Sequence, residues 1–98
     1  MNIKMSKEFE KSARKLSGKY KESLKNMLLE IKSTESIEEI SNCKKLIGYN
    51  NIYRIRMGDY RSFFLFEIIE QTIHLKYLVN RGEAYNKEYQ QKLRKSDF

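Results

Sequence analysis

The sequence predicts an α+β fold in which two N-terminal helices pack on one face of a mostly antiparallel four- to five-stranded sheet, followed by a short C-terminal helix. Three observations lead there. Apolar residues recur at helical spacing through the first third of the chain, and after Lys44 the period changes to alternation. Gly58-Asp59 then stands between two alternating runs, where a two-residue hairpin loop belongs. A chain of 98 residues, 40% hydrophobic and 12% aromatic, carries enough apolar side chain to fold and is expected to form one domain over 1–98.

Ile3 and Met5 alternate with polar neighbours and open a short strand. Ser6 is placed to cap a helix, with Glu8 favoured in its first turn by the helix dipole. Phe9, Ala13 and Leu16 follow at helical spacing, and Ser17-Gly18 stops the run. A second helix is expected over Lys19 to Lys32, with Tyr20, Leu24, Met27, Leu28 and Ile31 on one stripe and Lys21, Lys25, Asn26 and Lys32 on the other. Ser33 to Cys43 is a connector in which Ser36 and Glu39 have the spacing of a capping box. Lys44 to Gly48 predicts a short strand, Ile52 to Met57 a clearer one, and Tyr60 to Ile69 a long apolar one. Glu70-Gln71 is a weaker turn leading into a strand over Thr72 to Asn80. The polar tail from Gly82 to Phe98 is expected to be helical near Glu83 to Leu93.

Twenty Lys and Arg against thirteen Asp and Glu give a formal charge of +7. That excess suits a polyanionic partner, nucleic acid ahead of a membrane surface, although a generous lysine coat for solubility gives the same total. No 18-residue apolar run predicts a transmembrane helix, and the first residues have no apolar signal core, so a cytoplasmic protein is expected. Cys43 has no second cysteine to pair with, which suits a reducing compartment. One Cys and one His cannot assemble a Cys/His zinc site, and no metal or other cofactor is expected. Structural roles are favoured for Cys43 and His74 over a catalytic Cys–His pair.

If Gly58-Asp59 forms the whole loop, Met57 lies opposite Tyr60, Arg56 opposite Arg61 and Arg54 opposite Phe63. Side chains alternate between faces, so Tyr53, Ile55, Met57, Tyr60, Phe64 and Phe66 should cover the helices. Arg54, Arg56 and Arg61 then share the other face. Like charges directly opposite across strands are destabilising, by an amount comparable to the roughly 0.2–1 kcal/mol that good pairs contribute. A polyanion reverses the sign of that cost, and the arginine fork suits phosphate. The alternative is neutralisation by acids, for which only Asp59 and Glu67 lie on or beside these strands. Continuing across Glu70-Gln71 puts Ile73, Leu75, Tyr77 and Val79 on the core face. His74, Lys76, Leu78 and Asn80 join the arginine face, with Arg61 opposite Asn80 and Arg81 emerging beside the cluster.

The segment Leu46-Ile47-Gly48, then Tyr53-Arg54-Ile55-Arg56-Met57-Gly58-Asp59-Tyr60-Arg61, and later Asn80-Arg81 and Tyr85, resembles the RelE/ParE superfamily of toxins from type II toxin–antitoxin systems. Chains of that superfamily carry an L-x-G…Y-R-I-R-x-G-x-Y-R run with a later Arg and Tyr. The order of helices and strands around the run also matches, so the resemblance extends over nearly the whole chain. The run is specific to the superfamily rather than to one branch.

The resemblance implies one of two activities. RelE-like members cut messenger RNA in the ribosomal A site, whereas ParE-like members poison DNA gyrase and lack the ribonuclease residues. Carried over by motif position, the ribonuclease site is Arg54, Arg56, Arg61, Arg81 and Tyr85, which favours the first activity. Its implied partners are a cognate antitoxin, mRNA and the ribosome, with no membrane. Tyr85 would stack on a base or take part in proton transfer, although packing of a helix tyrosine on the sheet edge accounts for it equally. The departures are chemical. Asn80 stands where many relatives have His or Lys, and Arg54 and Arg56 stand where some have lysine. No counterpart to a Glu base or a terminal His is evident. Arginine is a poor base, so charge stabilisation would carry more of the catalysis and proton transfer less. A gyrase inhibitor without ribonuclease activity, or a degenerate relative that only binds an antitoxin, remains the alternative.

Overall fold

The computed structural model describes residues 1–97. In chain order it contains β1 (Asn2–Met5), α1 (Lys7–Arg14), α2 (Lys19–Ser33), a 3-10 turn (Ile37–Glu39), β2 (Cys43–Lys45), β3 (Ile52–Met57), β4 (Tyr60–Glu67), β5 (Thr72–Asn80) and α3 (Lys87–Ser96). The five strands form one sheet in the order β1-β5-β4-β3-β2. Only β1 runs parallel to its neighbour; the other three pairings are antiparallel. The α+β architecture with paired N-terminal helices is the one expected.

Ser6 caps α1 as its position predicts, its hydroxyl accepting from the Phe9 N–H at 3.0 Å. Gly18 takes a positive φ of 56° between the two helices, a conformation that favours glycine. Phe9 from α1 and Leu24, Met27 and Ile31 from α2 pack on Ile55, Phe64, Ile73 and Leu75. Phe9, Ile31, Phe64, Ile73 and Leu75 are fully buried. Each such side chain contributes about 1.5–3 kcal/mol relative to exposure, so this layer anchors the helical hairpin. The buried Ser62 lies on the same face with its hydroxyl unpartnered among the described residues.

The β3–β4 register is the predicted one throughout, from Ile52 opposite Leu65 to Met57 opposite Tyr60. The next turn is not. β4 ends at Glu67 rather than Ile69, and the turn occupies four residues, Ile68 to Gln71, with Gln71 at a φ of 52°. The strands start from Glu67 opposite Thr72, and Lys76 is then extra, because Phe64 faces Leu75 while Phe63 faces Tyr77. This bulge forms where β1 gives way to α1, and Ser6 donates to the Lys76 carbonyl at 2.6 Å. One extra residue reverses the faces beyond it. Leu78 therefore joins the helical core, Tyr77 and Val79 go to the opposite face, and Arg61 faces Val79 rather than Asn80.

That opposite face carries a second core. Ile52, Phe63, Leu65 and Val79 are covered by Ala84 and by Leu93 of α3. The C-terminal helix thus starts and ends later than the expected 83–93, after a turn, with Asn86 accepting from the Glu88 N–H at 2.7 Å. Two smaller expectations also give way. The strand expected over Lys44 to Gly48 is Cys43–Lys45, and Gly48 lies beyond it at a φ of 86°. Glu39 accepts from the Glu35 N–H, one residue before the expected Ser36, which makes no side-chain cap.

Candidate functional site

Strand alternation and the Gly58-Asp59 turn put the three strand arginines on the face away from α1 and α2, as the residue pattern requires. They stand in two rows across the sheet. One row runs Lys44, Arg54, Phe63 and Tyr77; the other runs Arg56, Arg61 and Val79. Lys44 has no local signal as a site residue, because its pairing with β3 depends on how the Lys44–Asn51 segment turns. Its place directly opposite Arg54 adds a fourth cation to the face.

The arginines differ in what holds them. Arg54 is 9% exposed, its stem packed into the sheet, whereas Arg56 is exposed. Arg61 folds back on the hairpin, its Nη1 donating to the carbonyls of Gly58 at 2.8 Å and Tyr60 at 2.9 Å. Among the described residues no carboxylate lies within 4.0 Å of Arg54, Arg56 or Arg61. Glu67, one of the two acids considered as neutralising partners, pairs instead with His74 at 2.9 Å. His74 therefore sits in a strand-end pair away from the cluster.

Asp59, the other acid, lies at the hairpin turn and meets Arg81. The Arg81 N–H donates to the Asp59 carbonyl at 2.7 Å, and its Nε is 4.0 Å from the carboxylate. Tyr20 of α2 donates to the other carboxylate oxygen. That hydrogen bond, joined by the nearby Arg81, Lys19 and Arg61, holds the Asp59 carboxyl below its ordinary value. The same bond, with the adjacent negative charge, raises the Tyr20 hydroxyl above its own. Arg81 thus reaches the turn beside Arg61, as its position after β5 suggests, with its side chain still largely exposed.

Tyr85, 57% exposed, stands edge-on to Phe63, the residue opposite Arg54, with ring centroids 6.4 Å apart. A slot of about 160 Å³ opens there between Tyr85, Phe63, Ile47 and Tyr49. Its outer wall is fastened by α3. The Arg94 guanidinium lies 4.5 Å from the Tyr49 ring centre, and the Asp97 carboxylate accepts from the N–H groups of Asn50 and Asn51 at 2.6 and 2.8 Å. Tyr49 and Arg94 had no sequence signal, since nothing local places α3 against the 46–51 loop. Cys43 is unsuited to nucleophilic work, because burial pushes its thiol up to about 11. The arrangement as a whole offers a phosphate several guanidinium groups, with aromatic faces beside them for a base.

No family model matches the sequence. The toxin RelE3 of Methanocaldococcus jannaschii is 29% identical over 87 residues, covering 88% of this chain and 97% of its own. The RelB–RelE antitoxin–toxin complex from Methanococcus jannaschii contains a chain that superposes with a TM-score of 0.71 at 26% identity, covering 84% of this chain and 94% of the other. The archaeal RelE–RelB complex from Pyrococcus horikoshii OT3 gives a TM-score of 0.70 at 24% identity, over 85% and 97% of the two chains. The isolated E. coli RelE toxin gives 0.65 at 21% identity, over 92% and 96%.

Proposed function

We propose that the chain is a RelE-like toxin of a type II toxin–antitoxin pair, a ribosome-dependent mRNA endoribonuclease. The observation that carries this reading is the cluster of Arg54, Arg56 and Arg61 on the sheet face away from the helical hairpin, with no carboxylate of the described residues within 4.0 Å. Such a cluster costs stability unless an anion meets it.

In the proposed reaction a ribose 2′-oxygen forms a bond to the adjacent phosphorus, and the bond from phosphorus to the 5′-oxygen breaks. The products are a 2′,3′-cyclic phosphate and a 5′-hydroxyl, with the proton lost from the 2′-OH balanced by one gained at the leaving oxygen. No metal is needed, because Arg54, Arg56 and Arg61 stabilise the charge that grows on the phosphate. Arg81 clamps the phosphate or assists the leaving oxygen, and Tyr85 stacks on a base or shares in proton transfer. The likeness to chains described in antitoxin–toxin complexes supports a cognate antitoxin as partner. Its binding segment should be acidic or amphipathic, covering the arginine face or displacing α3. Among the described residues no helix is long and apolar enough to cross a membrane, and action on ribosomes places the protein in the cytoplasm.

The test is to incubate translating ribosomes with the protein and map new mRNA 5′ ends. Cleavage positioned by the ribosome supports the proposal. DNA breaks with intact mRNA would establish the gyrase-directed activity instead, and neither effect would leave only antitoxin binding.

A further inference from the structure

Among the described residues Asp59 is the carboxylate that meets a proposed site arginine, and its contacts connect three parts of the chain. Its backbone carbonyl receives the Arg81 N–H at 2.7 Å, and its Oδ1 lies 4.0 Å from the Arg81 Nε. Its Oδ2 receives the Tyr20 hydroxyl. Tyr20 is itself braced, packing edge-on against Tyr60 at 5.0 Å and lying against Gly58, where an added Cβ would come within 3.3 Å of its ring. Arg61, next to Tyr60, is held by the carbonyls of the same turn. The turn between Arg61 and Arg81 thus carries a negative charge at the point where the proposed polyanion would bind. For affinity alone that charge is unfavourable, so an affinity argument does not explain it.

We infer that Tyr20 and Asp59 form a tether that positions Arg81 beside Arg61 at the scissile phosphate. Arg81 follows the last residue of β5, and its side chain is 69% exposed with no other ion pair among the described residues. A long exposed side chain of that kind samples many rotamers. The carboxylate restricts it to the direction of the turn, while the Tyr20 hydroxyl keeps the carboxylate from rotating away. Neither Tyr20 nor Asp59 need touch the substrate; both act through Arg81. Ground-state affinity falls slightly with the extra negative charge, and an aligned cation is ready when charge develops on the phosphate.

The tether is tested with Asp59→Asn and Tyr20→Phe in the full chain. The kinetic arm rests on the ribonuclease reading; the spectroscopic arm does not. In ¹⁵N spectra the Arg81 Nε–H resonance of the wild type should be resolved and distinct, and in both variants it should collapse toward the position of free arginine. An unchanged Arg81 signal in Asp59→Asn overturns the tether whether or not the protein cuts RNA. On ribosome-bound mRNA, Asp59→Asn should lower kcat by about tenfold to a hundredfold, the scale of a misaligned catalytic group, while KM stays level or falls. Tyr20→Phe should lower kcat by less and leave KM unchanged, and Asp59→Glu should restore part of the loss. If Asp59 is only a staple of the turn, kcat stays at the wild-type level once melting temperatures are matched, and the inference fails. If the wild type cuts no RNA yet the Arg81 signal responds as stated, the tether stands and the ribonuclease reading falls.

Discussion

Replacing Arg61 by alanine separates a side chain that serves the site from one that serves the fold. Two opposing contributions set the stability change. The mutation removes two hydrogen bonds from Nη1 to the carbonyls of Gly58 and Tyr60, at 2.8 and 2.9 Å. Both bonds lie near solvent, and water replaces part of them, so about 0.5–1 kcal/mol each is the appropriate scale. Against this, Arg56 loses the like charge directly opposite, a relief of roughly 0.2–1 kcal/mol. The net loss is therefore about 0–2 kcal/mol, which for a chain of this size lowers Tm by less than about 15 °C and centrally by about 5 °C. Cleavage should suffer far more, since removing one charge-stabilising donor from a reacting centre typically costs about 10²–10³ in rate. Arg61→Lys, which keeps the charge but not the fork, should recover stability less than activity. Thermal melting and mapping of mRNA ends on the same preparations read both quantities. A variant that melts more than about 15 °C lower yet cuts at the wild-type rate would show that Arg61 is scaffolding, and the site assignment would be wrong.

Three further outcomes follow from the packing. Gly58→Ala should cost about 2 kcal/mol in denaturant unfolding, because φ is +61° and the new methyl meets the Tyr20 ring at 3.3 Å; a neutral result would mean the turn is not braced by Tyr20. Leu93→Asp should detach α3 without unfolding the helical core, so that amide exchange accelerates through Lys87–Ser96 and stays slow in β4 and β5; uniform acceleration would show that the second core is essential to the whole fold. Cys43, with its thiol raised to about 11 from 9.0, holds less thiolate at any pH below that range, so alkylation at pH 8 should be about 100-fold slower than for a free cysteine and should recover on unfolding. Rapid labelling of the folded protein would contradict the burial of Cys43.

Local chemistry made much of this molecule legible before any coordinates. Gly58-Asp59 allows few loops, and a two-residue loop determines every opposite pair from Met57–Tyr60 to Ile52–Leu65. With the period of two, it also places Arg54, Arg56 and Arg61 on one face. Ser6, Phe9 and the Leu24–Ile31 stripe announced the helices in the same way, by capping and spacing. Glu70-Gln71 had no such constraint. Its turn took four residues, and the β4–β5 register was settled by what had to be buried on each side, Ile73 and Leu75 under the helices and Tyr77 and Val79 toward α3. An alternating strand satisfies both demands only by inserting Lys76 as a bulge, and no property of Lys76 itself announces one. The parts of the site that depend on distant docking were hidden for the same reason. Lys44 opposite Arg54, Arg94 on Tyr49 and Asp59 between Tyr20 and Arg81 are meetings of segments far apart in the chain. Sequence periodicity determined which way each strand side chain points, and tertiary packing alone decided which of them meet, because burial is shared among elements that no single segment encodes.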